Sequence, residues 1–204
     1  LTGSEGAGAS VAEAAGRALK KTVLELGGSD PFVILEDADI KAVTPFAVKA
    51  RFINTGQSCL CAKRFLVDGA VIAQFEAGLK EQVSALKIGS PLDSSTQIGP
   101  LAKKSFVDDI DKQVQESIKM GARLVTGGHR IDGPGNYYAP TVLADVTPEM
   151  PVFNQETFGP VLALVKAENT EDAIRLADLS QYGLAASIWT KDMNKGLELG
   201  KGIN

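Results

Sequence analysis

The sequence predicts an α/β fold with a largely parallel sheet flanked by helices, and three observations predict it. Helical segments and short β-rich runs alternate along the whole chain, as strands joined by helical crossovers do. Between residues 70 and 86 the apolar side chains Val71, Ile72, Phe75, Leu79, Val83 and Leu86 recur at helical spacing. Residues 31–35 and 161–165, by contrast, are apolar runs of strand length.

In chain order, an alanine-rich stretch over 9–20 reads as a helix and 22–26 as a short strand. The apolar run 31–35 is a strand, after which Asp37 or Asp39 caps a helix reaching Phe52. Residues 65–67 form the next strand and 70–86 the next helix. Gly89-Ser90-Pro91-Leu92 and Ile98-Gly99-Pro100 punctuate a loop. A long helix over 102–120 stops at Gly121, a C-terminal cap type. Strands follow at 123–126 and 140–143, separated by a loop over 132–138. Beyond a further strand at 161–165, a helix over 170–179 has Thr170 and Asp172 in capping range. Residues 182–189 read as core strand, with pairing over 185–190, and the last helix starts near Asp192.

Composition narrows the function classes. The 204 residues carry 44% hydrophobic and 23% charged side chains, ordinary for a globular protein. A formal net charge of -4 gives no electrostatic reason to expect nucleic acid or an anionic membrane as partner. No apolar run approaches the roughly 20 residues of a membrane helix. The two cysteines, Cys59 and Cys61, cannot staple distant parts of a fold, a pattern suited to a reducing compartment and hence to the cytoplasm. The chain opens at a strand-to-helix turn and closes after a helix that should lead into another strand. It therefore reads as an interior fragment of a longer protein.

The stretch Asn54-Thr-Gly-Gln-Ser-Cys59-Leu-Cys61 is the most informative. A cysteine thiolate is a strong nucleophile toward carbonyl carbon, and Gly56 lets the backbone bend so that Cys59 can face a cleft. The alternative, a small buried hydrophobe, sits poorly with the polar neighbours Asn54, Thr55, Gln57 and Ser58. Cys61, between Leu60 and Ala62, fits that alternative better, or else pairs reversibly with Cys59 as a redox brake. His129, the only histidine, follows Gly127-Gly128 in a polar turn, so proton transfer at Cys59 falls to a carboxylate. Glu25, ahead of Gly27-Gly28, is either a hinge partner or such a base. The turn Gly3-Ser-Glu-Gly-Ala-Gly8 either cradles phosphate or is a plain tight turn. Glu156-Thr-Phe158-Gly159-Pro160 offers a carboxylate for ribose hydroxyls and a ring to pack on a flat ligand, or a loop with a buried phenylalanine. Asp108, Asp109 and Asp111 read as a solvated helix face, and no Cys/His/Asp set has metal-ligand spacing.

The order and separation of these motifs resemble the NAD(P)-dependent aldehyde dehydrogenase superfamily. The resemblance runs from Thr2-Gly3-Ser4, through Leu24-Glu25-Leu26-Gly27-Gly28, Asn54-x-Gly56-Gln57-x-Cys59, Gly99-Pro100 and Pro140-Thr141-Val142, to Glu156-x-Phe158-Gly159-Pro160 and Tyr182-Gly-Leu-Ala. It implies an aldehyde-dehydrogenase-like catalytic domain over 28–204, preceded by the tail of a Rossmann-like cofactor domain over 1–27. In that likeness Cys59 attacks the aldehyde, hydride leaves for the nicotinamide of NAD or NADP, and water activated by Glu25 hydrolyses the thioester. The Cys59 N–H serves as one oxyanion donor. Gly3, Ser4, Leu26 and Gly27 lie along the cofactor, Glu156 binds its nicotinamide ribose and Phe158 packs near the nicotinamide. A base at Glu25 favours hydrolysis over transfer to coenzyme A. The likeness also implies a homodimer or homotetramer for the whole protein and places the second oxyanion donor upstream of Leu1. This polypeptide by itself is therefore expected to bind cofactor poorly and not to turn over.

The Cys-x-Cys pattern looks like the succinate-semialdehyde branch. That branch often has an arginine immediately before the asparagine, whereas Ile53 stands here and Arg51 lies two residues further back. Other aliphatic or aromatic aldehydes remain candidates on this reading.

Overall fold

The computed structural model describes residues 1–204. Its first helix, α1 (Glu5–Arg17), begins earlier than the expected residue 9. Ser4 is the reason: its hydroxyl accepts from the Ala7 N–H at 3.3 Å, so a capped first turn offsets the low propensity of Gly6 and Gly8.

Residues 22–26 are not a strand of the sheet, contrary to expectation. They form one parallel bridge, Glu25 with Thr2, through Gly3 N–H to Glu25 O at 3.0 Å and Glu25 N–H to Leu1 O at 2.8 Å, and the Leu1 amino group donates to Val23 O at 2.8 Å. The partner segment turns into α1 at Ser4, so the ladder cannot run on toward Leu26.

The remaining elements follow the expected alternation: β1 (Asp30–Ile34), α2 (Ile40–Phe52), a 3₁₀ turn (Ile53–Gly56), β2 (Ala62–Asp68), α3 (Ile72–Ser84), α4 (Lys104–Lys119), β3 (Arg123–Thr126), β4 (Thr141–Ala144), α5 (Pro151–Asn154), β5 (Val161–Ala167), α6 (Thr170–Asp178), β6 (Ser187–Trp189) and α7 (Met193–Gly200). Of the two candidate caps of α2, Asp39 does the work, accepting from Ala42 N–H at 3.2 Å. α6 is capped by Asn169, one residue ahead of the expected Thr170. Asp172 answers from inside the first turn by accepting the Glu168 N–H at 3.1 Å, a reciprocal pair. The single turn α5 was not anticipated; Pro151 opens it at a position where a missing N–H costs nothing.

One sheet runs β3-β4-β5-β2-β1-β6, parallel throughout except for β3, which pairs antiparallel with β4. The stretch 182–189 departs from the expected core strand. Only Ser187–Trp189 pairs, at the sheet edge beside β1, and no residue from 182 to 189 is buried. An edge strand has a neighbour on one side only, so its apolar residues are half covered.

Both sheet faces are packed. On β1 and β2, Phe32, Ile34, Phe65 and Val67 meet α2 and α3, whereas Val33 and Leu66, with Leu35 just past β1, join a core with α4, α5 and α6. Period-two alternation between two apolar faces is why these strands read as continuous apolar runs. Neither core includes a residue before Phe32.

Lys63 and Arg64 break the apolar pattern at the head of β2, yet each is only 1% exposed. Three loops enter the sheet at this end: 26–29 before β1, 57–61 before β2 and 155–160 before β5. In a parallel sheet those three N-terminal strand ends lie side by side, which gathers residues 28, 59 and 156 from distant parts of the sequence.

Candidate active site

The loop carrying Cys59 is held in a strained shape. After α2 the chain turns through three consecutive left-handed residues, Asn54 (φ 51°), Thr55 (φ 57°) and Gly56 (φ 73°). Asparagine tolerates this region and glycine is free in it, but a β-branched threonine there is an outlier that its surroundings must enforce. Thr55 is pinned by the Gly99 N–H, which donates to its hydroxyl at 3.0 Å. Gln57 is pinned likewise, its side-chain oxygen accepting the Ala102 N–H at 2.8 Å, while the Asn54 amide donates to Gln57 O at 2.8 Å. The motif Asn54-x-Gly56-Gln57 is thus a set of anchors for the turn that delivers Cys59.

Cys59 is half-buried and free. It lines a cavity of about 520 Å³ together with Thr2, Gly3, Ser4, Leu26, Gly27, Gln57, Ser58, Phe106, Glu156 and Phe158. That volume lies in the range of small-molecule and cofactor sites. All six expected cofactor residues, Gly3, Ser4, Leu26, Gly27, Glu156 and Phe158, therefore share one wall system with Cys59. Glu25 does not line the cavity; it is exposed and joins the site through its backbone bridge to Thr2. Cys61 is 1% exposed, with its thiol 3.7 Å from Ile53 O, so it packs under the loop and does not face the cavity. His129 is exposed and turned back on Gly127 O.

The Gly27-Gly28 pair has a steric cause. A Cβ on Gly27 would lie 2.7 Å from a Glu156 carboxylate oxygen, and one on Gly28 would lie 2.6 Å from Cys59 O. Their absence lets the 26–29 segment touch the other two loops, and the Gly28 N–H donates to Glu156 Oε1 at 3.1 Å.

Charge at the site comes from side chains that sequence reasoning did not single out. Lys63 Nζ donates to Cys59 O at 3.0 Å, Ser58 O at 3.1 Å and Cys61 O at 3.3 Å, and lies 3.7 Å from Glu156 Oε1. Burial pushes the Lys63 ammonium below its usual value, the Arg51 charge adds to this, and the Glu156 and Asp30 carboxylates oppose both. Asp30 is pushed up by its own burial, against the Ala185 N–H and the cations Lys63 and Arg64.

Arg51 is fully buried and spans two loops. It donates to Thr157 O at 2.9 Å, to Ala62 O at 3.3 Å and to Gly56 O at 3.4 Å, and also to Gly159 O. Its guanidinium is lowered to about 10, chiefly by burial, and stays charged near neutrality. Arg64 ties β2 to Ser29 O at 2.9 Å and to Leu176 O and Ala177 O at the end of α6. A readable signal existed in Ala62-Lys63-Arg64: two cations at the mouth of an apolar strand need buried acceptors. Phe106 left no such signal; it meets Phe158 edge-on at 5.7 Å only because α4 crosses the mouth of the cavity.

The aspartates of α4 are less free than expected. Asp108 pairs with Lys104 and Arg130, and Asp111 with Arg130 at 2.9 Å and Tyr138 at 3.2 Å, which holds α4 to the loop before β4. No group of three or more His, Cys, Asp or Glu is arranged to hold a metal ion. No helix is long and apolar enough to cross a membrane.

This arrangement suits a nucleophile beside a cofactor. The Cys59 N–H is committed to no bond within the chain and is free to donate to an oxyanion. The groove fits the phosphate, ribose and flat ring at one end of a dinucleotide on three observations: the capped N-terminus of α1 at Ser4, the Glu156 carboxylate on the wall and the edge-on rings of Phe106 and Phe158.

Comparison with known proteins gives the family and the fold. The chain is 50% identical over 203 residues to a probable NADP-dependent succinate-semialdehyde dehydrogenase of Synechocystis, covering 100% of this chain and 45% of that protein. It is 46% identical over 199 residues to a succinate semialdehyde dehydrogenase of Escherichia coli that is named for NAD(P), covering 98% and 43%. Among solved structures it superposes with a TM-score of 0.95 on a Mycobacterium tuberculosis aldehyde dehydrogenase complexed with NAD+, at 40% identity and covering 99% and 42% of the two chains. It superposes with a TM-score of 0.96 on the lactaldehyde dehydrogenase of Escherichia coli, at 37% identity over 99% and 43%. The chain thus spans less than half the length of the relatives it matches. A family model described as the aldehyde dehydrogenase family matches residues 1–204, and the chain belongs to that family.

Proposed function

We propose that this chain is part of an enzyme that oxidises an aldehyde to a carboxylic acid with NAD or NADP as hydride acceptor. The observation that carries the reading is the single cavity shared by Cys59, Glu156, Phe158 and the N-terminus of α1. Ionised Cys59 Sγ, its proton released to solvent, attacks the carbonyl carbon to form a hemithioacetal oxyanion that accepts from the Cys59 N–H. A bound nicotinamide supplies the hydride acceptor for that carbon. Loss of hydride leaves a thioester on Cys59, and water deprotonated by Glu25 cleaves it to the free acid and the thiol. Ser4 holds cofactor phosphate, Gly3, Leu26 and Gly27 pass along the cofactor, Glu156 accepts from the nicotinamide ribose, and Phe158 packs near the ring. Residues 1–27 serve as the end of the cofactor domain and 28–204 as catalytic domain, which is supported by the absence of 1–27 from both cores.

The substrate proposed is succinate semialdehyde or a comparable small aldehyde, supported by the names of the relatives. Arg51 cannot hold a substrate carboxylate, since its guanidinium is buried against backbone carbonyls. A second cleft of about 460 Å³ beside the Cys59 loop is lined by Ile53, Leu60, Phe46 and Trp189, with Lys49 as the cation in its wall. An anionic tail there meets the Lys49 ammonium on a mainly apolar wall that also carries the Asp30 carboxylate, so the cleft favours an uncharged or weakly polar tail over a second carboxylate.

The test mixes the full-length protein with NAD or NADP and a panel of aldehydes, charged and uncharged, and follows absorbance of reduced cofactor. Turnover is the expected result; no reduced cofactor with any aldehyde, reductant present, overturns the reading. Glu25→Gln is expected to lower the steady-state rate by about 10² to 10³ while sparing the first burst of reduced cofactor, the signature of a lost hydrolytic base. Mass spectrometry of quenched enzyme should then show the acyl group on Cys59; unchanged rate and no acyl-enzyme would remove Glu25 from that role.

A further inference from the structure

Lys63 is the one ammonium buried in the wall between the two halves of the proposed site. It sits behind the nucleophile, at 1% exposure, with three loop carbonyls and the Glu156 carboxylate around it. We propose that Lys63 is a positioning residue whose charge locks the loop carrying Cys59 to the Glu156 arm, so that the nucleophile and the cofactor's carboxylate ligand are held as one unit. The proposal rests on the roles given to Cys59 and Glu156 in the preceding subsection.

The geometry argues for this role over simple filling of space. An ammonium has three protons, and three carbonyls, those of Ser58, Cys59 and Cys61, lie at hydrogen-bond distance. Those bonds brace the loop on both sides of Cys59. Glu156 Oε1 at 3.7 Å is the nearest anion, and Glu156 is also gripped by the Gly28 N–H at 3.1 Å. Asp30, the other carboxylate felt by Lys63, is engaged by the Ala185 N–H at 3.1 Å, so Glu156 is the one facing the cavity. Arg51 braces the same two loops from beneath through Gly56 O and Thr157 O; it feels the Glu156 charge but hydrogen-bonds backbone only and forms no ion pair with that carboxylate. Burying a charge is costly, and a whole buried ion pair is often replaceable by well-packed apolar residues without loss of stability, so the Lys63–Glu156 pair is not explained by stability alone. The placement of Lys63 between a nucleophile loop and a ligand carboxylate therefore points to geometry at the site.

A double-mutant cycle on the full-length protein tests the link. Lys63→Gln keeps two amide donors for the carbonyls and removes the charge; Glu156→Gln removes the partner charge and leaves Lys63 on its carbonyls. One readout is the rate of Cys59 alkylation by iodoacetamide, located by peptide mass mapping so that Cys61 is counted separately. The other is the dissociation constant for NADP and NAD. Each single variant is expected to speed Cys59 alkylation about threefold and weaken cofactor binding about tenfold, with the double variant no worse than the more damaged single. Unchanged Cys59 alkylation in Glu156→Gln, or effects that multiply in the double variant, overturns the proposal. The alkylation arm uses neither cofactor nor aldehyde. A wild type that alkylates as expected yet oxidises no aldehyde would sink the functional reading and leave this link decided.

Discussion

Replacing Cys59 with serine in the full-length protein is expected to lower aldehyde oxidation by about 10⁴-fold or more, equivalent to about 5.5 kcal/mol of transition-state stabilisation. The loss is large because nothing nearby can substitute. A serine hydroxyl is scarcely ionised near neutrality and would need a strong base within reach, but the only histidine is exposed and bonded back to Gly127 O. Cys61, the only other thiol, is 1% exposed beneath the loop. Cofactor affinity should stay within a few-fold of wild type, because Ser4, Gly27, Glu156 and Phe158 keep their places on the cavity wall. Steady-state rate and cofactor titration on the same preparation separate the two effects. Full oxidation by Cys59→Ser would show that another residue is the nucleophile.

Arg51→Met should destabilise the fold by about 3 kcal/mol or more, the largest stability effect expected from any one substitution at the site. The methionine stem fills much of the same space, yet the carbonyls of Gly56, Ala62, Thr157 and Gly159 lose their common donor in a region closed to water. The damage extends beyond stability. Gly56 is the last of three left-handed residues, and a Cβ there would strike the Gly159 carbonyl, so the two loops are in tight register. Without the guanidinium that register has no charged tie, and the strained turn at Asn54 and Thr55 can relax. Urea unfolding should show a lower midpoint at unchanged slope. An unfolding free energy within about 0.5 kcal/mol of wild type would mean that the carbonyls find other partners.

Much of the fold was legible because its signals are local. Period-two burial on two apolar faces produced the continuous runs at β1 and β5, and Asp39, Asp192 and Gly121 marked helix ends that the structure keeps. The errors have a common cause, which is that a strand is defined by its neighbours. Residues 22–26 have strand-like composition but one bridge, and 182–189 is mostly unpaired chain leading to a three-residue edge strand.

The candidate site divides the same way. The sequence by itself determined the chemistry on offer: a cysteine in a glycine-bent polar loop, no histidine placed to serve it, and carboxylates at Glu25 and Glu156. Only the tertiary structure decided which of these meet. The parallel strands β1, β2 and β5 bring their N-terminal ends together, so Gly28, Cys59 and Glu156 become neighbours, while Glu25 stays exposed beside Thr2. It also decided that the buried cations Arg51 and Lys63 bind the loops, because a charge with no water must take every carbonyl within reach, and which carbonyls those are depends on how the loops pack.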